Sequence, residues 1–301
     1  MTNGLVLVTG AAGGRQGKTG RHVTELLRQR GVPVRAFVHR IDERSEQLRA
    51  IGAEVVEGDL LDFRSVERAL QGVSSVYFAY PVQSGLIDAS AIMAIAARKA
   101  GVTRLIDMVM LISTPEAPTP RMRQNYLSEQ IFEMAGIGAA HVRATLFYEN
   151  VRSLAVATLA ASGTVMLPWG SGTAKIPLVA GEDVARVAAG VLTSPQVTPG
   201  TSFPVIGEIL TLNEIVATFG KVLGREVRYQ EITDQQWRDG ALSRGFNAHA
   251  VEHLSALWQT FRGGAGRFDV PDTVERFAGR KPKSFEAFVH EHQDVFSAQA
   301  A

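Results

Sequence analysis

The 301-residue chain contains no cysteine. This absence excludes a disulfide framework, a thiolate nucleophile and a zinc or iron–sulfur site with cysteine ligands. Net charge is also nearly absent, because 31 Lys and Arg residues face 30 Asp and Glu residues. Such a chain has no broad electrostatic attraction to a phosphate backbone or to anionic lipid. We therefore expect neither a nucleic-acid partner nor a membrane partner.

Long hydrophobic runs are missing as well. The apolar stretch at residues 153–161 is far shorter than the roughly 20 residues that cross a bilayer. The chain opens MTNGLVLVTG, without a basic region or a small-residue cleavage site, which is typical of a cytoplasmic start. Hydrophobic residues make up 46% of the chain, enough to predict one large core or two smaller ones.

The first half of the chain alternates short β-branched runs with segments of helical period. This alternation is typical of βαβ units whose parallel strands are buried on both faces. Strands are predicted at residues 5–9, 34–39, 54–56, 73–79, 105–111 and 140–144. Helices are predicted at residues 21–30, 63–70, 89–99 and 128–135. The pattern predicts an α/β fold with a doubly wound, Rossmann-type parallel sheet over residues 1–150.

The second half shows longer helices and only isolated short strands. Its helices are predicted at residues 183–192, 212–223, 247–261 and 284–296. No stretch between the halves has the composition of a flexible linker. We therefore predict that residues 151–301 form a smaller, mostly helical part for substrate or partner, packed on the first, with an approximate boundary.

A glycine-rich segment joins the first strand to the first helix. Strand LVLVTG runs into AAGGRQGKTGRHV. Glycine is needed where the chain turns tightly, where backbone approaches a phosphate and where a helix packs closely on a strand. The helix N-terminus adds free amides and a partial positive charge. The segment predicts a dinucleotide site, unless it is a turn without ligand, with contacts from Gly10, Gly13, Arg15, Gly17, Lys18, Thr19 and Gly20.

A second interpretation of the same segment stays open. Residues 12–19 read A-x-x-x-x-G-K-T, a Walker A pattern with alanine in the first place, in which Lys18 and Thr19 would serve a triphosphate and magnesium. A triphosphatase also needs an aspartate after another strand, and only VVEGD, interrupted by Glu57, comes near. The simpler expectation places Lys18 and Thr19 in the first helical turn with solvated side chains.

The end of the second predicted strand distinguishes the two nicotinamide cofactors. A carboxylate there would bind the 2'-hydroxyl of NAD, whereas an arginine would pair with the 2'-phosphate of NADP. The strand ends FVHR, with His39 and Arg40 and no acid, and Arg15 adds a second positive group. NADP(H) is therefore expected over NAD(H). Asp59 and Leu60 follow the third strand, where Asp59 would contact the adenine or cap the next helix.

Eight stretches of the chain carry a family resemblance. They are GKTGRHV (17–23), VRAFVHR (34–40), EVVEGDLLD (54–62), AGVTRLI (100–106), VRATLFYEN (142–150), GEDVARVAAGVL (181–192), VLGREVRY (222–229) and GRKPKSFEAFV (279–289). In this order they resemble the NmrA-like group of the atypical short-chain dehydrogenase/reductase superfamily, over nearly the whole chain. The resemblance implies NAD(P) binding by the Rossmann-type part, with substrate or partner in the cleft over the nicotinamide.

Two features depart from the family pattern. The segment GAAGGRQGKTG is about four residues longer than the usual glycine spacing, and Gly10, Gly17 and Gly20 match it best. The Tyr-x-x-x-Lys pair that protonates a developing alkoxide in short-chain reductases is missing, since none of the five tyrosines precedes such a lysine. Tyr126 with Gln130 comes nearest, and the serine after the fifth strand is replaced too. Carbonyl reduction by the standard residues is not expected, and no catalytic residue is assigned.

A quinone or azo compound can take its proton from water after hydride transfer, so its reduction does not require that pair. The resembled group includes quinone-reducing enzymes that lack it. We expect an aromatic-lined pocket for such a planar acceptor. Its candidates are Tyr80, Pro81, Phe147, Tyr148, Asn150 and Trp169. Tyr80 and Pro81, like Leu60 after the third strand, are also expected to contact the cofactor. Phe147 and Trp169 would equally well seal the two parts together.

The alternative hypothesis is a regulatory protein that senses NADP(H) without turnover and acts through a protein partner. The resembled family takes its name from such a regulator, and the missing tyrosine–lysine pair favours this interpretation. No metal site is expected. His249 and His253 lie four apart on a predicted helix, but the pattern supplies no third ligand.

Overall fold

A computed structural model describes residues 4–14, 17–264 and 266–297. Its elements up to the end of the main run of strands are β1 (Leu5–Thr9), α1 (Thr19–Gln29), β2 (Val34–Val38), α2 (Glu43–Ala50), β3 (Glu54–Glu57), α3 (Phe63–Ala69), β4 (Val73–Phe78), α4 (Leu86–Lys99), β5 (Arg104–Met110), α5 (Pro120–Met134) and β6 (Ala139–Ala144). There follow β7 (Leu146–Phe147), α6 (Tyr148–Ser162), β8 (Thr164–Leu167), β9 (Lys175–Val179), α7 (Gly181–Thr193), β10 (Ser202–Val205), β11 (Glu208–Thr211), α8 (Leu212–Leu223), β12 (Arg228–Glu231), α9 (Asp234–Ser243), α10 (Ala248–Arg262), α11 (Thr273–Ala278), α12 (Phe285–Glu291) and α13 (Gln293–Ser297).

The described residues fall into two compact units. The first comprises the chain up to Ala144 together with Gly181–Val205 and Asp272–Lys281. The second comprises Thr145–Ala180, Ile206–Pro271 and the residues from Pro282 onward. The chain therefore leaves the first unit near the predicted boundary at residue 150. It then returns to the first unit twice, so one boundary does not separate the two units.

A seven-stranded sheet forms the centre of the first unit. Its order is β10-β6-β5-β4-β1-β2-β3, and every neighbouring pair is parallel. Helices α1 and α7 pack together, and α4 packs against both α3 and α5. Apolar side chains such as Leu7, Val76 and Leu105 are fully buried in this sheet, because helices cover a parallel sheet on both faces. The predicted Rossmann-type fold is confirmed.

Several elements of the first unit differ from the predicted ones. The sheet has a seventh strand, β10, beside β6. Helix α5 begins at Pro120 rather than residue 128, because the Thr119 side chain accepts from Met122 N and proline occupies the first helical position. Helix α2 escaped prediction because its sequence, ERSEQLRA, buries only Ser45 and Leu48 and has no apolar stripe.

The second unit is mostly helical, with two small sheets. One sheet has the order β11-β9-β7 and the other pairs β12 with β8. The three tryptophans of the chain, Trp169, Trp237 and Trp258, lie in its core, each at most 2% exposed. The helix predicted over residues 284–296 is two helices, α12 and α13, and α6 and α9 were not predicted. No helix in the described part of the chain is long and apolar enough to span a bilayer.

Candidate cofactor site

The loop between β1 and α1 has the backbone conformation that requires glycine. Gly10, Gly13 and Gly17 have φ of 64°, 72° and 54°, in the left-handed region that side chains disfavour. The Gly13 amide donates to Gly10 O at 3.0 Å and closes a tight turn. Three of the glycines in this segment therefore lie where the backbone turn after β1 requires a residue without a side chain.

Gly20 serves a different purpose, the close approach of helix to strand. A Cβ built there would lie 2.5 Å from Thr9 O and 2.7 Å from Gly10 C and O, closer than any side chain allows. Gly181, the first residue of α7, approaches the other side of the loop, where a Cβ would lie 2.0 Å from Gly17 O. The loop is thus enclosed by backbone on two sides.

The N-terminus of α1 opens toward this loop. No side chain of the described residues caps the helix, and its first turn contains no acid. The amides of that turn are therefore available to a negative group, and the helix dipole favours one. Glycine turn, close approach and uncapped helix end together fit the diphosphate of a dinucleotide.

The two residues shared with the Walker A pattern lie in different surroundings. Lys18 is the exposed N-cap residue, with φ 48°, and precedes the helix. Thr19 is only 5% exposed, so the expectation of a solvated side chain is wrong for Thr19. Thr19 is buried in a helix that packs on the neighbouring strands β1 and β2. Arg15, the other predicted loop contact, lies outside the described residues.

A reciprocal link joins the ends of β1 and β4. The buried Thr9 hydroxyl donates to Ala79 O at 2.9 Å and accepts from Ala79 N at 2.8 Å. β1 and β4 are the neighbours at which the strand order reverses direction. In doubly wound sheets the ligand binds outside the carboxyl ends of the strands at this switch point. The glycine loop lies at the same point.

The segment after β2 brings one arginine, Arg44, into contact with the loop. His39 and Arg40 are exposed there, and their contact with the cofactor stays a prediction. Arg44, which sequence reasoning missed, donates from Nη1 to Gly13 O at 3.0 Å and from Nε to Asp42 Oδ2 at 3.0 Å. The Arg44 hydrogen bond holds the pKa of Asp42 below its ordinary value. No local pattern pointed to Arg44, because its contact with the loop spans 31 residues.

The two roles considered for Asp59 are now separated. Asp62, not Asp59, caps α3 by accepting from Arg64 N and Ser65 N. Asp59 Oδ1 accepts from Leu61 N at 2.9 Å and its side chain is exposed. The capping role is therefore wrong, and the adenine contact of Asp59 and Leu60 stays a prediction.

The loop after β4 contains Tyr80 and Pro81. Tyr80 is 7% exposed and its hydroxyl donates to Ser84 O at 2.9 Å. The Tyr80 hydroxyl thus makes its hydrogen bond within the loop itself. Pro81 is exposed.

The remaining pocket candidates lie in the second unit, and two of them are core residues. Tyr148 is fully buried, and its hydroxyl donates to Glu208 Oε2 and Lys283 O, each at 3.1 Å. The Trp169 ring is 1% exposed and packs on Trp258 with centroids 5.0 Å apart. Both rings and the Tyr148 hydroxyl are thus taken up by the core, and a pocket role for these two residues stays a prediction.

Phe147 and Asn150 remain as candidates. Both are half-buried, and Asn150 Oδ1 is buried with no hydrogen-bond partner in the described chain. In the first unit, Ser113 Oγ after β5 and Gln124 Oε1 on α5 are also buried with no hydrogen-bond partner in the described chain. Buried polar atoms are nearly always satisfied in proteins. A polar ligand would satisfy these atoms, so they also fit a bound cofactor or substrate.

His249 and His253 lie on α10, as the sequence predicted for a helix in this region. Among residues 4–14, 17–264 and 266–297, no group of three or more His, Cys, Asp or Glu side chains is placed to hold a metal ion.

The parallel sheet with its reversing strand order and the glycine loop at the switch point define a Rossmann-type protein of the dinucleotide-binding class. The family model that matches the chain is that of the NmrA-like family, over residues 2–289. The chain belongs to this family.

Two curated relatives match over nearly their full length. The NAD(P)H azoreductase of Xenophilus azovorans is 28% identical, over 98% of this chain and 100% of the relative. A (4-alkanoyl-5-oxo-2,5-dihydrofuran-3-yl)methyl phosphate reductase of Streptomyces griseus is 31% identical, again over 98% of this chain and 100% of the relative.

Solved structures share the fold. The Citrobacter sp. triphenylmethane reductase in complex with NADP(H) has a TM-score of 0.81 at 21% identity, over 95% of this chain and 99% of that one. The NADPH complex of an Escherichia coli quinone oxidoreductase has a TM-score of 0.81 at 23% identity, over 96% and 99%. NmrA, a negative transcriptional regulator, in complex with NAD has a TM-score of 0.80 at 18% identity, over 97% and 95%.

Proposed function

We propose that this protein is an NADP(H)-dependent reductase that transfers hydride to a small, planar, electron-poor acceptor such as a quinone or an azo compound. The observation that carries the proposal is the glycine loop at the switch point. Helix α1 approaches β1 so closely there that a Cβ on Gly20 would lie 2.5 Å from Thr9 O. The names of the relatives support it, since they describe an NAD(P)H azoreductase and a second reductase.

The chain's own residues would hold the cofactor along the carboxyl edge of the sheet. Gly10, Gly13, Gly17 and the uncapped first turn of α1 would bind the diphosphate. When bound, a reduced nicotinamide supplies a hydride. The buried and unsatisfied Ser113 Oγ and Gln124 Oε1 would orient polar groups of the ligand.

The preference for NADP(H) over NAD(H) rests on the segment after β2. Arg40 is exposed there, and Arg44 lies against the glycine loop through Gly13 O. Two guanidinium groups favour a 2'-phosphate, to which arginine binds through charge-assisted hydrogen bonds. Asp42 competes for Arg44, so Arg40 is the main determinant of the preference.

The absence of a tyrosine–lysine pair limits the acceptor. The Tyr80 and Tyr229 hydroxyls donate to backbone carbonyls, and burial raises the pKa of Tyr229 to about 12. Burial also raises the pKa of Tyr77. None of these phenols is suited to protonate an alkoxide at neutral pH. An acceptor whose reduced form takes a proton from water does not need one, and Phe147 and Asn150 are our candidates for contact with it.

The direct test combines binding with turnover. NADPH is titrated by fluorescence, and its oxidation is then followed by absorbance on addition of quinones, azo dyes and activated carbonyls. The proposal expects binding and turnover with quinones or azo dyes but not with carbonyls. ATP is titrated in parallel, since ATP binding without NADPH binding would favour the Walker A interpretation.

The alternative is a regulatory protein that binds the cofactor without turnover. The structural likeness to the NAD complex of NmrA, a negative transcriptional regulator, favours it. Retention of NADPH with no oxidation by any acceptor in the panel would support this alternative over the reductase.

A further inference from the structure

A buried arginine at the start of α5 holds the loop that follows β4. Arg121 is 3% exposed, and its Nη2 donates to Tyr80 O and Pro81 O, both at 2.9 Å. Its Nη1 donates to Gln83 O at 3.2 Å. The Arg121 guanidinium thus donates to three backbone carbonyls within residues 80–83.

This arrangement is costly for a purely structural contact. Within the described chain, the hydrogen bonds of Arg121 end on backbone carbonyls and none ends on a carboxylate. Burial lowers the pKa of Arg121 to about 10, which still leaves the group charged at neutral pH. The charge of Asp107 acts on this guanidinium without a hydrogen bond between the two groups. A buried charge with no hydrogen-bonded counter-charge is expensive. Such arrangements concentrate at functional sites.

The loop held by Arg121 borders one half of the predicted crevice. β4 lies on one side of β1, and β2 and β3 lie on the other. A dinucleotide spans this switch point with its two halves on opposite sides. The adenosine half belongs with Arg40 after β2, so residues 80–83 border the nicotinamide half.

We propose that Arg121 is a positioning residue for the nicotinamide half of the cofactor, because it fixes the backbone of residues 80–83 in the shape that meets that half. The inference rests on the proposed function. Arg121 also occupies the inward face of α5 together with Asn125, four residues later, whose Oδ1 accepts from Met110 N at 3.3 Å. The two side chains thus secure the backbone that follows β4 and the end of β5.

The test compares the whole cofactor with its adenosine fragment. NADPH and adenosine 2',5'-bisphosphate, which lacks the nicotinamide half, are titrated against the wild type and the variants Arg121→Met and Arg121→Lys. We expect Arg121→Met to weaken NADPH about tenfold, the loss that corresponds to about 1.4 kcal/mol, and to leave the fragment unchanged. Arg121→Lys keeps the charge and should recover part of the NADPH affinity.

Arg123 provides a matched control on the same helix. It is exposed and donates from Nη1 to Ala117 O at 2.7 Å, away from the loop after β4. Arg123→Met should leave both affinities unchanged. Retained binding of the fragment shows that the Arg121→Met protein is folded.

Two results would overturn the inference: equal weakening of NADPH and of the fragment, which marks Arg121 as a general structural contact, or no weakening of either. If the wild type binds neither ligand, the proposed function itself fails, and this outcome is distinct from both.

Discussion

At the residue scale, Gly20 shows that the close approach of α1 to β1 requires a residue without a Cβ. Thr9 O and Gly10 O occupy the space of any Cβ at this position. The helix can only accommodate a larger residue by moving away from β1, which displaces the amides that we propose bind the diphosphate.

We expect Gly20→Ala to lower the free energy of unfolding by about 1–3 kcal/mol, the usual cost of overpacking, and to weaken NADPH binding. Chemical denaturation and fluorescence titration measure the two effects. Gly14→Ala is the control for stability, because its φ is not positive and, its chain neighbours aside, no atom of the described residues lies within 4 Å of a Cβ there. A Gly20→Ala protein as stable as Gly14→Ala would contradict the close approach.

In the proposed site, Arg40 is the residue that would distinguish NADPH from NADH. We expect Arg40→Asp to weaken NADPH binding by about 1.5–3 kcal/mol, the value of a charge-assisted hydrogen bond, and to affect NADH little. Separate Kd values for NADPH and NADH measure this selectivity. Arg64→Asp, an exposed arginine on α3, controls for the change of charge. If Arg40→Asp weakens both cofactors equally, Arg40 does not bind the 2'-phosphate.

At the element scale, β5, β6 and α5 meet around a buried ionic cluster. Asp107 and His141 are register partners on adjacent strands, with His141 Nδ1 3.9 Å from Asp107 Oδ2. Ser128 Oγ on α5 donates to Asp107 Oδ2 at 3.1 Å, and Glu133 Oε1 lies 3.1 Å from His141 Nε2. The buried Glu129 adds a further negative charge nearby.

This cluster makes stability depend on pH. Burial lowers the pKa of His141, but the adjacent Asp107 and the glutamates outweigh it and raise the pKa above the ordinary 6.5. Burial raises the pKa of Asp107 above 3.8. Both groups therefore hold protons more tightly in the folded state than in the unfolded state. The stability they contribute is lost as pH rises through their folded pKa values.

We therefore expect the free energy of unfolding to fall as pH rises above 6.5, and His141→Asn to remove most of this slope. Urea denaturation between mildly acidic and mildly alkaline pH measures it. His290→Asn, at an exposed position on α12, is the matched control. A slope that is unchanged in the His141→Asn protein would show that folding does not change the proton affinity of His141.

At the scale of the whole molecule, ligand linkage distinguishes a cofactor site from a metal site. A ligand that binds only the folded state at about 100 times its Kd stabilises that state by about 2.7 kcal/mol. We expect NADPH to raise Tm accordingly and EDTA to leave Tm unchanged, as measured by thermal denaturation. A fall of Tm in EDTA would reveal a metal, and an unchanged Tm in NADPH would count against the cofactor site.

The two units were harder to predict than the strands because each unit is built from several separate segments of the chain. The alternation of strands and helices marks Leu5–Thr9 through Ala139–Ala144 as one sheet, because each strand has its own local pattern. β10 was missed because its four residues, SFPV, are too few for a pattern and gain their place only beside β6. The return of the chain at Gly181–Val205 and Asp272–Lys281 has no local signal.

The amino-acid sequence by itself determined the Rossmann-type sheet and the position of the glycine loop. Both arise from local patterns, a run of buried residues or a glycine whose φ is positive, that depend on a few neighbouring residues. Tertiary structure alone decided which side chains meet. Arg121 reaches Tyr80 O across 41 residues, and Tyr148 turns to Glu208 across 60. Such contacts follow from how elements pack, and no spacing within one element contains that information.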